Sequence, residues 1–174
     1  MYPLNIDGEE LYLRDLKIND LPHLLKWYNN IDDFSLATGV YEPISLKEMQ
    51  KRYFLSRSSS KDFFAGIYIR ASDEMIGIIK GRVNCDGAFA AWINSIIIDP
   101  EFQRKGYGGK TVNLLIRHIK ECCNVNRVYL SVAEENVKGM LFWKQQSFKT
   151  VKTIKSDHGS KNESKNVVIM YREV

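Results

Sequence analysis

The chain has 174 residues, 44% of them hydrophobic and 11% aromatic, and a formal net charge of +4. That length and apolar content support one folded domain spanning 1–174 and exclude global disorder. The mild charge does not by itself point to nucleic acid, and no stretch reaches the roughly 18 apolar residues of a membrane span.

The opening segment MYPLNIDGEELYL has no basic region followed by an apolar one, so no secretory leader is expected. Cys85, Cys122 and Cys123 are odd in number, and two are adjacent, which fits neither a disulfide framework nor zinc spacing. A reduced, cytoplasmic setting without a metal is expected.

ELYLRDL (10–16) alternates as a strand does. In INDLPHLLKWYNN (18–30), Leu21, Leu24, Leu25 and Tyr28 have helical spacing, with Asp20 as the N-cap and Pro22 in the first turn. IDDFSLATGVYEP (31–43) reads as a loop. Ser45 opens a second helix, SLKEMQKRYFLSRS, with Glu48 three residues on as a capping box. FFAGIYIR (63–70) and MIGIIKGRV (75–83) form a hairpin around Ala71 to Glu74. After the turn NCDG, AFAAWINSIII (88–98) reads as a central strand, apolar on both sides near its end.

Val112, Leu115, Ile116 and Ile119 then mark the buried stripe of a helix that runs to about Cys123. RVYLSV (127–132) is a strand, NVKGMLFWKQQ (136–146) a helix and SFKTVKTI (147–154) a strand. KSDHGSKNESKN (155–166) is expected to be mobile, and VVIMYREV closes the chain as a strand. The sum is one α/β domain of mixed topology.

The densest chemical signal is DPEFQRKGYGGKT (99–111). A nucleotide P-loop, G-x-x-x-x-G-K-[ST], would need a first glycine where Arg104 stands. The dinucleotide fingerprint G-x-G-x-x-G would need a glycine where Thr111 stands. Gln103, Gly106 and Gly108 fill a third pattern, Q/R-x-x-G-x-G/A. Glycines there let the backbone approach a phosphate closely, and the N–H groups at a helix start point at the anion.

INSIIIDPEFQRKGYGGK and, downstream, ENVKGMLFWKQQSF together resemble the GNAT superfamily of acyl-CoA-dependent N-acyltransferases. The second segment is similar to the family pattern N-x-x-A-x-x-L-Y-x-K-x-G-F. The order of elements fits across nearly the whole chain. The resemblance implies a mixed, mostly antiparallel sheet flanked by helices, with a splayed pair of parallel strands at the cofactor site. Pantetheine would lie in that gap against the backbone of Ile96 and Ile98. The N–H of Ile96 would hold the thioester carbonyl, a catalytic role of the oxyanion-hole kind. Main-chain N–H groups of Gln103, Arg104, Lys105, Gly106, Tyr107, Gly108 and Gly109 would take the pyrophosphate of acetyl-CoA, with Arg104 and Lys105 adding charge. Lys110, in the first helical turn, can instead face solvent.

Asn136 matches the family's pantetheine contact, and a plain helix N-cap is equally compatible. Two positions depart from the family. Trp143 stands where relatives often have a Tyr that protonates the leaving thiolate, and Trp92 stands where some carry a Glu base. An indole N–H is a donor but not a useful acid. Gly139 and Ser147 replace the usual Ala and Gly, which are milder changes. Trp143 would line the cofactor pocket without acid chemistry. His23, His118 and His158 carry no expected catalytic role. Asp32, Asp33 and Glu42 lie in the loop that covers the acceptor site in relatives.

The reading is an acetyl-CoA-dependent N-acetyltransferase acting on a small-molecule or peptide amine, with no nucleic-acid or membrane partner, and with a homodimer left open. A non-catalytic acyl-CoA-binding module on the same fold is the alternative, motivated by the two tryptophans.

Overall fold

The computed structural model describes residues 1–85, 87, 89–156 and 165–174. Eight strands form one sheet: β1 (Ile6–Asp7), β2 (Leu11–Asp15), β3 (Asp62–Ile69), β4 (Glu74–Asn84), β5 (Ala90–Ile98), β6 (Arg127–Ala133), β7 (Lys149–Ser156) and β8 (Lys165–Glu173). Their spatial order is β1-β2-β3-β4-β5-β6-β8-β7. Every adjacent pair is antiparallel except β5 and β6. The helices are α1 (Leu21–Tyr28), α2 (Ile31–Thr38), α3 (Leu46–Arg57), α4 (Tyr107–Cys123) and α5 (Val137–Gln145).

The sheet separates two cores. On one face, Val112, Leu115 and Ile119 of α4 and Trp143 of α5 pack against Ile79, Ile93, Val128, Leu130 and Met170. On the other, Leu21, Leu24 and Trp27 of α1, Phe34 of α2 and Met49 and Tyr53 of α3 pack against Phe64, Ile78 and Ile97. Full burial of one such aliphatic side chain contributes about 1.5–3 kcal/mol, so helices this short are held by their apolar faces rather than by propensity.

Residues Ile93 and Ile97 of β5 are four apart yet lie in different cores. A β-bulge explains this. Gly81 pairs with Ile93 and Lys80 with Ser95, which leaves Asn94 unpaired. One extra residue shifts the two-residue period, so every later side chain changes face. Ile96 and Ile98 thereby join the α4 face, while Ser95 turns to the other and donates to Ala37 O at 2.7 Å.

The expected hairpin, the capped helix at Ser45 and the buried stripe of α4 are all present. Ser45 Oγ accepts from Glu48 N at 3.2 Å. The Glu48 carboxylate meets Arg52 at 3.4 Å. Three details differ. Residues 31–38, read as loop, form α2, whose C-cap Gly39 has φ 68° and donates to Ser35 O. Asp32 and Asp33 sit in its first turn, where carboxylates favour the positive helix end. Asp20 makes no side-chain cap of α1 and instead accepts from Lys17 N at 2.8 Å, closing a 3-10 turn over Ile18–Asp20. Of the polar stretch 155–166, residues 155, 156, 165 and 166 extend β7 and β8. The rest, His158 included, lies outside the described residues.

Ser147, read above as a mild replacement for glycine, occupies a demanding position. Its φ is 65°. Ser147 N donates to Lys144 O and Phe148 N to Trp143 O, each at 3.0 Å, so α5 ends in a Schellman motif with Ser147 at the left-handed position. The Phe148 and Trp143 rings close the motif at 5.1 Å. A side chain in this backbone region costs roughly 1–2 kcal/mol, partly offset by the smaller unfolded-state entropy of a non-glycine residue. Ser147→Gly is therefore expected to raise stability by roughly 0.5–1 kcal/mol. Denaturant melts with unchanged m-value check this, and a destabilised variant would show that the strain is relieved by contacts the backbone does not reveal.

Candidate active site

The parallel pair is brief. Its registers run from Ala90↔Arg127 to Ile93↔Leu130 and stop. Both strands continue, β5 to Ile98 against β4 and β6 to Ala133 against β8. From Asn94 onward the two inner edges part, leaving a gap with backbone polar groups on each side. Such groups need partners when a ligand covers them. Ile96, three residues past the last pair, lies on this edge, and Ile98 lies at its mouth.

The chain leaves that mouth through a braced turn. Asp99 Oδ1 accepts from Glu101 N at 3.0 Å, and Asp99 N donates to Ile76 O at 2.8 Å. Gln103 Nε2 donates to Ile98 O at 2.8 Å, and Gln103 N to Pro100 O at 3.3 Å. Gln103 thus spends its main-chain N–H and one of its two side-chain N–H groups on the turn itself. Arg104 follows with φ 59° and Gly106 with φ 83° as the N-cap of α4. Two left-handed residues in three positions make a concave run of N–H groups of the kind that cradles anions.

The bond from Lys110 N to Gly106 O, at 3.1 Å, opens the helical ladder. It leaves the N–H groups of Gly106, Tyr107, Gly108 and Gly109 without intrahelical partners, at the positive end of a 17-residue helix. Arg104 and Lys105 are exposed beside them. Lys110 is tied to Glu10 of the β1–β2 turn by an exposed ion pair, with its Nζ 5.8 Å from the centroid of the Tyr107 ring, so its charge is engaged beside the loop.

Gly108 has a role that spacing did not reveal. A Cβ there would lie 3.0 Å from Cε2 of Phe142 and 3.8 Å from Ile98 Cγ1. Its missing side chain lets α4 pack closely on α5. A bulky residue at 108 would therefore disturb helix packing as well as any ligand.

Asn136 is the N-cap of α5, its Oδ1 accepting from Gly139 N at 2.8 Å. A Cβ at Gly139 would come within 2.9 Å of three Asn136 side-chain atoms, so this glycine makes room for the cap. Trp143 is 7% exposed, packed edge-on against Phe142 and Phe148 at 4.8 and 5.1 Å. It is a core residue. The acid–base residues that relatives use have no counterpart at 92 or 143. The described tyrosines whose pKa is raised, Tyr2, Tyr12 and Tyr68, lie elsewhere. Tyr12, on β2, is pushed up to about 12 by burial and by its hydrogen bond to Asp73.

A contact not anticipated from spacing joins the loop to the opposite core. Trp27 Nε1 on α1, 4% exposed, donates to Asp99 Oδ2 at 2.7 Å across 72 residues. Of the other candidates, His118 Nδ1 on α4 lies 3.8 Å from Cys122 Sγ. Cys122 is exposed and Cys123 buried. No helix of the described residues is long and apolar enough to cross a membrane.

The family model described as the acetyltransferase (GNAT) family matches residues 24–148. The chain belongs to the GNAT acetyltransferase family. A 57-residue segment is 33% identical to the spermine/spermidine N(1)-acetyltransferase of Bacillus subtilis, covering 33% of this chain and only 38% of that relative. The fold is similar to that of spermidine N-acetyltransferase from Vibrio cholerae, solved with CoA and spermine. The TM-score is 0.80 at 23% identity, over 95% of this chain and 96% of that one. A GNAT-family acetyltransferase from Bacillus anthracis gives 0.81 at 13% identity, over 98% of both chains. The match spans the loop, the strand gap and α5 together.

Removing the α1 brace should register in stability. Trp27→Phe keeps a smaller aromatic ring, truncates a buried side chain and leaves the Asp99 carboxylate short of one donor. A hydrogen bond to a charged group contributes about 1.5–3 kcal/mol. A loss of at least that size is expected, packing included, and hydrogen exchange should rise first across 99–106. A loss spread evenly over the chain, with no local increase there, would show that Trp27 acts only through packing.

Proposed function

We propose that this GNAT acetyltransferase transfers an acetyl group from acetyl-CoA to a primary amine by direct attack. The observation that carries the reading is the coincidence of an open parallel-strand gap with a nest of unpartnered N–H groups at its mouth. The gap has the form of a missing strand, which suits an extended pantetheine, and the nest suits a pyrophosphate. Arg104 to Gly109 supply the donors. Gln103 supports them from behind rather than contributing its own N–H. Ile96 N–H is the candidate donor to the thioester carbonyl, where it would hold the charge that develops on oxygen.

The amine lone pair attacks the thioester carbon, a C–N bond forms, the C–S bond breaks and coenzyme A leaves as thiolate. The spare proton on nitrogen passes to water or, in the end, to the thiolate. A free thiol has pKa about 8.5, so the leaving group does not require a strong acid at position 143. The demanding step is supplying neutral amine, since an amine of pKa about 10.4 is only about 0.1% neutral near pH 7.4. Positioning of the two substrates then carries much of the rate. Polyamines are named for the bacterial relatives, and spermidine belongs in the first panel of acceptors.

Isothermal calorimetry with acetyl-CoA, followed by thiol release across an amine panel, tests the reading. Acetyl-CoA binding with no thiol release from any amine would favour a binding module instead. Replacing both Arg104 and Lys105 by Gln should weaken CoA more than its pantetheine fragment, with a difference that shrinks as salt rises. Equal weakening of both ligands would make the pair structural.

Trp143→Phe should lose about 1–2 kcal/mol of stability, as a partial core truncation does. Below its melting range it should keep most of its turnover, with kcat/KM still rising toward the pKa of the amine. A thousandfold fall in kcat with CoA affinity intact would give Trp143 a chemical role.

A further inference from the structure

One row of side chains crosses the sheet on the face that elsewhere carries α1 to α3. The registers Asp62↔Arg82, Arg82↔Trp92, Trp92↔Tyr129, Tyr129↔Tyr171 and Lys149↔Tyr171 place six residues from six strands in line. Residues paired across neighbouring strands share a face. Their sequence neighbours Phe63, Ile93, Val128 and Met170 fill the opposite core, which fixes the row on this side. The three central rings are half-buried and stacked. Trp92 and Tyr129 lie 5.9 Å apart at 15°, and Tyr129 and Tyr171 lie 6.1 Å apart at 28°.

This row borders the place where β5 and β6 part. On the far side of the sheet the same point is sealed by Ile93, Leu130, Val132 and Trp143, none more than 7% exposed. On the near side Asn94 and Ser131 are exposed. A nucleophile therefore reaches the gap from the aromatic side, passing Trp92 and Tyr129.

The electrostatics of the row select among amines. Stacked rings turn their faces to one another and present their edges, which carry the positive part of the ring quadrupole. Arg82 stands at one end, bound by Asp62 at 2.5 and 3.2 Å, and exposed Lys149 stands at the other. Among the described residues Asp62 is the sole carboxylate in the row, and Arg82 occupies it. A polycation laid here would meet ring edges, an Arg82–Asp62 pair already closed on itself and the positive charge of Lys149. An aromatic body would meet apolar surface of its own kind.

Resting on the acetyl-transfer reading above, we propose that the acceptor is an arylalkylamine. Its ring lies along Trp92, Tyr129 and Tyr171, and its primary amine extends past Asn94 and Ser131 to the gap. The rings are specificity-determining residues, and the proton and bond changes are those of the acetyl transfer already given.

The test is kinetic, on the full chain with saturating acetyl-CoA. Phenethylamine, spermidine and ethylamine are compared by thiol release, and acetyl-CoA affinity is measured by calorimetry. Phenethylamine is expected to exceed spermidine at least about tenfold in kcat/KM. Tyr129→Leu and Tyr171→Leu, which keep apolar bulk but remove the ring, should raise KM for phenethylamine about tenfold. Their loss in kcat/KM should be far larger for phenethylamine than for ethylamine, with acetyl-CoA affinity unchanged. If Tyr129→Leu fails to fold, Tyr171→Leu, nearer the sheet edge, carries the same readout. Preference for spermidine with normal acetyl-CoA binding overturns this proposal alone, as does an equal loss for phenethylamine and ethylamine. Failure of the wild type to bind acetyl-CoA overturns the acetyl-transfer reading and this proposal together.

Discussion

The early end of the β5–β6 ladder is the constraint on which the site depends. Parallel strands are held by evenly spaced, slanted bonds, and losing the ladder exposes backbone groups that a packed sheet would satisfy. Here the ladder stops at Ile93↔Leu130 while both strands keep their outer partners, β4 and β8. The antiparallel pairs on either side keep the two edges rigid while they diverge. A site built this way needs few side chains, because the main chain supplies the polar groups. That accounts for a chain whose recognisable signature is glycines and apolar strand rather than a cluster of acids and histidines.

The bulge at Asn94 sits where the ladder ends. By shifting the period it places Ile96 and Ile98 with the α4 core and Ser95 under α2. Without that extra residue, Ile97 would have to leave the α1–α3 core and Ile96 would enter it. The same residue therefore sets which face each side chain of the reactive edge occupies and which backbone groups are left open. The Trp27–Asp99 bond then ties the α1 side of the sheet to the turn that feeds the loop. Asp99 accepts from α1, accepts from its own turn and donates to β4. Displacement of α1 must therefore be felt at the mouth of the gap, a direct physical link between the α1 side of the sheet and the loop that opens α4.

Much of the fold was legible because local rules agreed with one another. Period-two strands flanked a hairpin turn, Ser45 capped α3, and the α4 stripe had clean helical spacing. The loop motif was legible because close backbone approach restricts residue choice. α2 was missed because its eight residues show only a weak apolar periodicity, although Asp32, Asp33 and Gly39 marked its ends. Gly108 reads as a ligand-approach glycine, and its missing Cβ also points at Phe142, a helix contact made across 34 residues that no local pattern encodes. Trp27 and Asp99 could not be paired from spacing for the same reason. The aromatic row was invisible for a stronger one. Its members come from separate strands, and the parallel register that aligns Trp92 with Tyr129 is set by tertiary packing.

The two tryptophans at familiar acid–base positions have opposite environments, and that difference bears on mechanism. Trp143 is packed between Phe142 and Phe148 in the α4 core, where a tyrosine hydroxyl would need a polar partner to avoid the cost of burial. An indole supplies more apolar contact at that position. Trp92 faces the other way, onto the open side of the sheet, where a carboxylate would have met Arg82 across the strand pair. With Trp there, Arg82 is left to Asp62, and the border of the gap carries a ring instead of a base. Both tryptophans lack proton-transfer capacity and add apolar surface, one inside the core and one along the path proposed for the acceptor. An active site altered in this direction relies on how the amine is held and on how readily it gives up its own proton.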